Sequence, residues 1–333
     1  MNFSKIKELP NSIGDLKSLE QMGLAMTQIM VLPNSIGGLE SLISLDLGDT
    51  KITEMPTSFG HLKMLINLDM RQGKIRELPK AIGMLENLDW LSYLDSSNMD
   101  MILPPQLSGL FLSCDDFGSL PRLPLSLHDL TIKGVKSPIV RPLPSELRYV
   151  SLLNLSECGS REIIIEQLGS LCSLTVYDCK SLVTLALSSL GRLEWLEIER
   201  CPQLIEIRDL GEMESLKDLH IKTCSSIERL PKLSKLHKLW NLTVEDCRSL
   251  QCLPDLPNSL LSIWNRRSTE TSPERPEHSL LRILNLSHCE SLQGGVPNLW
   301  RREIHACPLL GESGDVPHFC PWCYEIKRGG MYG

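Results

Sequence analysis

Apolar residues recur along this chain in one short pattern repeated many times. Between Leu193 and Leu253 the set Leu193, Leu196, Ile198 and Cys201 returns as Leu216, Leu219, Ile221 and Cys224. It returns again as Leu239, Leu242, Val244 and Cys247, a step of 23 residues. Side chains two apart share one face of a strand, so Leu196 and Ile198 point one way while Trp195, Glu197 and Glu199 point the other. A strand this short cannot enclose its own leucines. Stacked copies can, because each covers its neighbour's apolar edge and the strands pair in parallel. The Cys position falls where the chain turns off the strand, and suits a small, buryable, weakly hydrogen-bonding side chain.

The half of each unit that returns to the next strand has its own signature. LPNSIG at 9–14 recurs as LPNSIG at 32–37, MPTSFG at 55–60 and LPKAIG at 78–83, with Pro10, Pro33, Pro56 and Pro79 spaced 23 apart. Ile36, Leu39 and Leu42 follow at threefold spacing, which predicts a turn or two of helix or 3₁₀ on the outer side; Gly37 limits it to a short piece. Between Asp95 and Val150 the pattern degrades, on Leu107, Leu110, Leu112 and then Leu127, Leu130, Ile132. Prolines such as Pro104, Pro105, Pro121 and Pro124 exclude regular helix there, so extended outer segments are expected. Regularity returns at Val150, Leu153, Leu155 and Cys158 and runs through Cys247.

Beyond Cys247 one coil is expected on Leu260, Ile263 and Asn265 with Ser268 in the slot; its return, Thr271 to Ser279, is polar and buries little. Two further coils are expected, at Leu281, Leu284, Leu286 and at Leu299, Ile304, Cys307. The whole reads as an α/β solenoid of about fourteen repeats, with a parallel concave sheet and short helices, 3₁₀ and extended segments on the convex side. It would occupy 1–310, as regular repeats over 1–94, irregular ones over 95–149 and Cys-slot repeats over 150–310. A cap or tail over 311–333 carries Pro317, Phe319, Trp322 and Tyr324. Met1 enters half-way through a coil with Ile6 and Leu9 already in register, which suggests a preceding domain that shields the first coil.

Composition narrows the function. With 34 Lys and Arg against 41 Asp and Glu the net charge is -7, which disfavours a nucleic-acid partner. There is neither an 18-residue apolar run nor a basic-plus-apolar leader, so neither a membrane span nor secretion is indicated. Of 12 cysteines, Cys158, Cys179, Cys201, Cys224, Cys247, Cys289 and Cys307 fall in one repeat slot, which Thr27 and Thr50 fill earlier. A slot that accepts Thr needs no redox chemistry, so buried free thiols in a reducing compartment are expected. Sequons at Asn2, Asn154, Asn241 and Asn285 read as accidents; three arise from the strand pattern.

Catalysis finds no foothold. The Gly-Lys pair Gly73-Lys74 precedes Ile75 and cannot be a phosphate loop, and HExxH and GxSxG are absent. Cys320 and Cys323 form a CxxC without a second pair; His318, His305 and Cys307 make a poor ligand set, so packing in the cap is the simpler reading. The chain is expected to be no enzyme, and to hold no cofactor or metal. What remains is the outward face of the concave sheet, where Trp90, Phe111, Thr131, Asn154, Asn285, Arg301 and Glu303 belong. Its central candidates for protein binding are Tyr177, Trp195, Glu197, Glu199, Asp218, His220, Lys222, Asn241, Thr243, Glu245 and Trp264. Aromatics beside mixed charges are the composition of binding hot spots.

The LPxSIGxLxxLxxLxL run of 9–93 and the LxxLxIxxCxxLxxLP coils of 171–254 resemble the leucine-rich-repeat region of plant intracellular nucleotide-binding immune receptors. The resemblance covers nearly the whole chain. It implies cytoplasmic or nuclear residence and a recognition module that surveys pathogen effectors or host targets. It also implies that the module restrains an adjoining nucleotide-binding switch, in the same chain or in trans. This sequence contains no such switch, and a signalling scaffold built from the same repeats is the alternative reading.

Overall fold

The computed structural model describes residues 6–75, 80–93, 102–116, 120–136, 145–252, 283–285, 289 and 291. The chain divides into two compact units, Met1–Gln293 and Gly294–Gly333. The second lies outside the described residues, as do the expected coil at Leu299–Cys307, the expected cap, and Cys320 and Cys323.

Among the described residues fifteen strands, numbered in chain order, form two parallel sheets. The long sheet contains β1 (Gln21–Gly23), β2 (Ser44–Asp46), β3 (Asn67–Asp69), β4 (Trp90–Ser92), β5 (Gly109–Ser113), β6 (Asp129–Lys133) and β7 (Leu152–Ser156). It continues through β9 (Ser173–Tyr177), β11 (Trp195–Glu199), β13 (Asp218–Lys222), β14 (Asn241–Glu245) and β15 (Ile283–Asn285). Register follows the repeat without slippage: Leu174 pairs Leu196, Leu196 pairs Leu219, and Leu219 pairs Leu242. A one-residue shift would expose every leucine, so the alternation fixes the register. Leu45, Leu68, Leu91, Leu110, Leu130, Leu153 and their successors fill one continuous aliphatic core.

Twelve strands of this sheet are described, against an expectation of about fourteen repeats for the whole chain. Strand β14 pairs directly with β15, Leu242 opposite Leu284 and Thr243 opposite Asn285. A strand has one edge on each side, and β13 and β15 take both edges of β14 in this sheet. The coil expected on Leu260, Ile263 and Asn265, with Ser268 and Trp264, lies outside the described residues.

The proline-led returns form 3₁₀ segments at Asn11–Asp15, Asn34–Gly38, Thr57–His61 and Lys80–Met84. Pro10, Pro33 and Pro56 sit just before the first three with φ near -68°, -69° and -66°, a value the pyrrolidine ring presets. Each proline carbonyl accepts the N–H of the Ile or Phe three residues on, at 3.0 Å. The glycine of the motif does more than shorten the helix. A Cβ on Gly14 or Gly37 would collide with the carbonyl oxygen of Ser35 or Ser58 in the next coil, so the stacking distance itself excludes a side chain.

A second sheet was not foreseen. Strands β8 (Glu162–Glu166), β10 (Thr184–Ser188) and β12 (Glu206–Arg208) pair in parallel on the returning halves of three successive coils. Its signal is legible: EIIIE and TLALS alternate with period two, and Ile163, Ile165, Leu185 and Leu187 are buried. These returns lack the Pro-x-Ser-Ile-Gly punctuation that forces 3₁₀ elsewhere.

Nearly every coil leaves its strand through a left-handed residue. Met26, Asp49, Gln72, Gly134, Glu157, Asp178, Arg200, Thr223 and Asp246 all have φ between +50° and +82°, each just before the slot residue. Where the slot holds Thr or Cys, its side chain caps the turn. Thr27 and Thr50 donate to the carbonyls of Leu24 and Leu47 at 2.7 and 2.9 Å. Cys179, Cys201, Cys224 and Cys247 donate to the carbonyl two residues back, at 3.4 to 3.5 Å. No disulfide joins any of the nine described cysteines. Burial pushes the Cys247 thiol up to about 12 and raises that of Cys289. Inert structural thiols behave this way.

Candidate protein interface

The outward side chains of the long sheet form three rows, because parallel pairing in register places equivalent positions side by side. Ser173, Trp195, Asp218 and Asn241 make the first row, and Thr175, Glu197, His220, Thr243 and Asn285 the second. Tyr177, Glu199, Lys222 and Glu245 make the third. Ten of the eleven central candidates are thus brought onto one continuous face; Trp264, the eleventh, lies outside the described residues.

The rows differ in accessibility. Strands β9 and β11 alternate buried and half-buried residues, whereas in β13 and β14 the outward side chains are covered as well. Asp218, His220 and Asn241 are each 9% exposed and Thr243 is 7% exposed. These four are therefore the floor of the face. Tyr177, Trp195, Glu197, Glu199, Lys222 and Glu245, all half-buried, stand above or beside them.

Burial of polar groups is tolerated here because the floor is hydrogen-bonded. Asn241 Nδ2 donates to Asp218 Oδ1 at 3.1 Å and lies 3.4 Å from His220 Nε2. Thr243 donates to Asn241 Oδ1 at 3.3 Å. Trp240, just before β14 and 41% exposed, donates its indole N–H to Asp218 Oδ2 at 2.8 Å. Trp240 is an aromatic of this face that the strand alternation missed, since its position reads as the far side of the strand. Its indole is held at the carboxylate and its ring edge left to solvent, the amphipathic arrangement that suits tryptophan to interfaces.

Charge above the floor is nearly balanced. Lys222 Nζ pairs with Glu197 Oε1 at 2.8 Å, and Arg200 lies over the Tyr177 ring at 5.4 Å while donating to its hydroxyl. Burial, then the charge of Lys222, lowers the His220 pKa; Glu197 and Asp218 oppose more weakly. His220 is accordingly a neutral ring at pH 7.

Toward the N-terminal coils the same face carries Trp90, Phe111, Thr131 and Asn154. Arg71 lies over Phe111 at 5.4 Å, and Asn154 donates to Thr131 at 3.1 Å. Of the sequon residues on the sheet, Asn154 and Asn241 thus have their amides engaged within it. Among the described residues no group of three or more His, Cys, Asp or Glu side chains could hold a metal ion. No helix among them is long and apolar enough to cross a membrane.

No family model and no curated protein matches the sequence. Solved structures do. The functional domain of InlJ from Listeria monocytogenes, which includes a cysteine ladder, is 16% identical with TM-score 0.39, over 75% of this chain and 66% of that one. YopM from Yersinia enterocolitica WA-314 is 23% identical with TM-score 0.41, over 73% and 59%. A complex of TLR13 with ssRNA13 is 19% identical with TM-score 0.43, over 75% and 51%. The chain spans less than two thirds of the length of each.

The fold is a leucine-rich-repeat solenoid. At those identities and scores the assignment rests on the chain's own geometry: a leucine-bearing strand per coil, a left-handed exit, a Cys or Thr slot, and a return of 3₁₀ or extended chain.

Proposed function

We propose that this chain is a protein-recognition module that binds its partner through the outward face of β9, β11, β13 and β14. The observation that carries the reading is the preorganised floor. Four buried polar side chains are bonded to one another and flanked by Trp195, Trp240 and Tyr177, so their desolvation and ordering have been met in folding rather than on binding. Aromatics on a rigid base with a charged rim are the layout of an interface centre. A nucleic-acid partner is disfavoured by the net charge of -7.

The finer reading follows the sequence resemblance. The module belongs to a plant intracellular immune receptor, resides in the cytoplasm, recognises a pathogen effector or the host protein it modifies, and biases a nucleotide-binding switch domain. The test pairs the chain, in plant cells, with a panel of secreted effectors and with nucleotide-binding domains of such receptors. Co-purification is scored with the native face and with Trp195→Ala, Glu197→Lys and Glu245→Lys combined. Binding lost in the exchanged face at unchanged melting temperature supports the site. Binding that survives the exchange overturns it, and absence of any binder in either panel overturns the receptor reading.

A further inference from the structure

We infer that the long sheet carries a second contact point, centred on Asp129 and Trp90, that accepts an arginine side chain of a protein partner. The inference rests on reading this face as a protein-recognition surface, but on different strands from the proposed centre.

Strand β5 begins with Gly109, and the Trp90 ring of β4 lies against it; a Cβ on Gly109 would run into the ring atoms Cε3 and Cζ3. The indole therefore leans over β5 toward β6, where Asp129 is the register partner of Gly109. Leu152, 40% exposed, is the register partner of Asp129 on the far side. One carboxylate oxygen, Asp129 Oδ1, is covered and has no hydrogen-bond partner.

Four donors on or beside these strands are engaged elsewhere. The Trp90 N–H goes to Ser92 Oγ at 3.0 Å, the Ser108 hydroxyl to Asp89, the Asn154 amide to Thr131, and Lys133 pairs with Glu157 at 2.8 Å. Burial raises the Asp129 pKa, only partly offset by the charge of His128. A half-covered carboxylate with one oxygen left without a donor is poorly solvated, so a cation reaching it replaces hydration that burial has already weakened. The indole beside it favours a planar cation over its face. Guanidinium meets both demands, with a fork for the carboxylate and a flat face for the ring, where ammonium offers a point charge alone.

Sequence alternation could have flagged Asp129, which holds the position of Trp195 in its own coil. What it could not show is that the glycine on the neighbouring strand lets the Trp90 ring lie across that strand.

The probe is the peptide Ac-Gly-Arg-Gly-NH2, titrated into the full chain beside its neutral citrulline counterpart and beside spermidine. The readout is the NMR shift of the Trp90 indole N–H, assigned by its loss in Trp90→Phe. Saturable binding of the arginine peptide with a dissociation constant of about 1 mM is expected, at least tenfold weaker for citrulline and for the isosteric Asp129→Asn. Equal response to arginine and citrulline, or unchanged affinity in Asp129→Asn at an unchanged melting temperature, overturns the assignment. So does spermidine binding as tightly as the peptide, because the site would then take free cations. The Trp195→Ala variant is expected to bind the peptide like the native chain. Peptide binding kept in that variant, with partner binding kept as well, would remove the β9–β14 centre and leave this site standing.

Discussion

Trp195 and His220 stack across adjacent strands, their ring centroids 4.6 Å apart and their planes inclined at 33°. They are diagonal neighbours, since Trp195 pairs with Asp218 and His220 lies two residues further along β13. The indole thus roofs part of the polar floor and ties β11 to β13 by a contact outside the hydrogen-bond ladder.

That roof makes His220 a reporter of pH. Its folded pKa lies below the ordinary value, so as pH falls below about 6.5 the unfolded chain takes up the proton first. The stability linked to this group is full above that pH, declines as pH falls toward the folded pKa, and is constant below it. Removing the ring with Trp195→Ala is expected to move the His220 titration back toward its ordinary value and to cost about 1 kcal/mol beyond the lost buried area. NMR titration of the His220 ring in both proteins checks the shift; an unmoved midpoint would discard the roofing role.

Gly37 tests the stacking of the outer segments. Gly37→Ala pushes a methyl into the Ser58 carbonyl and is expected to destabilise the chain by about 1–3 kcal/mol. Gly191→Ala, where nothing lies within 4 Å, is expected to change stability by less than about 0.5 kcal/mol. Denaturant midpoints compare the two. Equal effects would mean that helix propensity, not coil spacing, decides the glycine.

The left-handed exits store strain wherever they are not glycine. Thr223, a β-branched residue at φ 55°, is the costliest of them, and Thr223→Gly is expected to raise stability by about 1 kcal/mol. Gly134 at φ 82° is the converse, and Gly134→Ala is expected to lower it by about 1 kcal/mol. Melting curves of the two variants should move in opposite directions.

The slot needs a small donor rather than a thiol. Cys224→Thr is expected to cost less than about 1.5 kcal/mol, because Thr27 and Thr50 cap the same turn with their hydroxyls. Cys224→Leu overpacks a fully buried site and is expected to cost about 1–3 kcal/mol. Thiol titration of the native chain gives a further check: among the described cysteines Cys252 is exposed and is expected to react first.

Period two in the strands and period 23 in the coils settled the strands of the long sheet, their parallel register, the buried leucines and the slot from sequence alone. Each of these depends on a residue and its repeat equivalents, which a linear string displays. The proline-led returns were legible for the same reason, since a ring that fixes φ acts wherever it stands. What the string left open depends on neighbours supplied by other coils. Whether Asp218, His220, Asn241 and Thr243 stand free or form a bonded floor is decided by Trp195 and Trp240 leaning over them. That β15 pairs directly with β14 is decided by which strand occupies the one open edge. That Asp129 keeps an oxygen without a donor, and that the Trp90 ring lies across Gly109 on the next strand, are likewise set by neighbouring coils. Local periodicity specifies the direction in which a side chain points; only packed coils determine what it meets there.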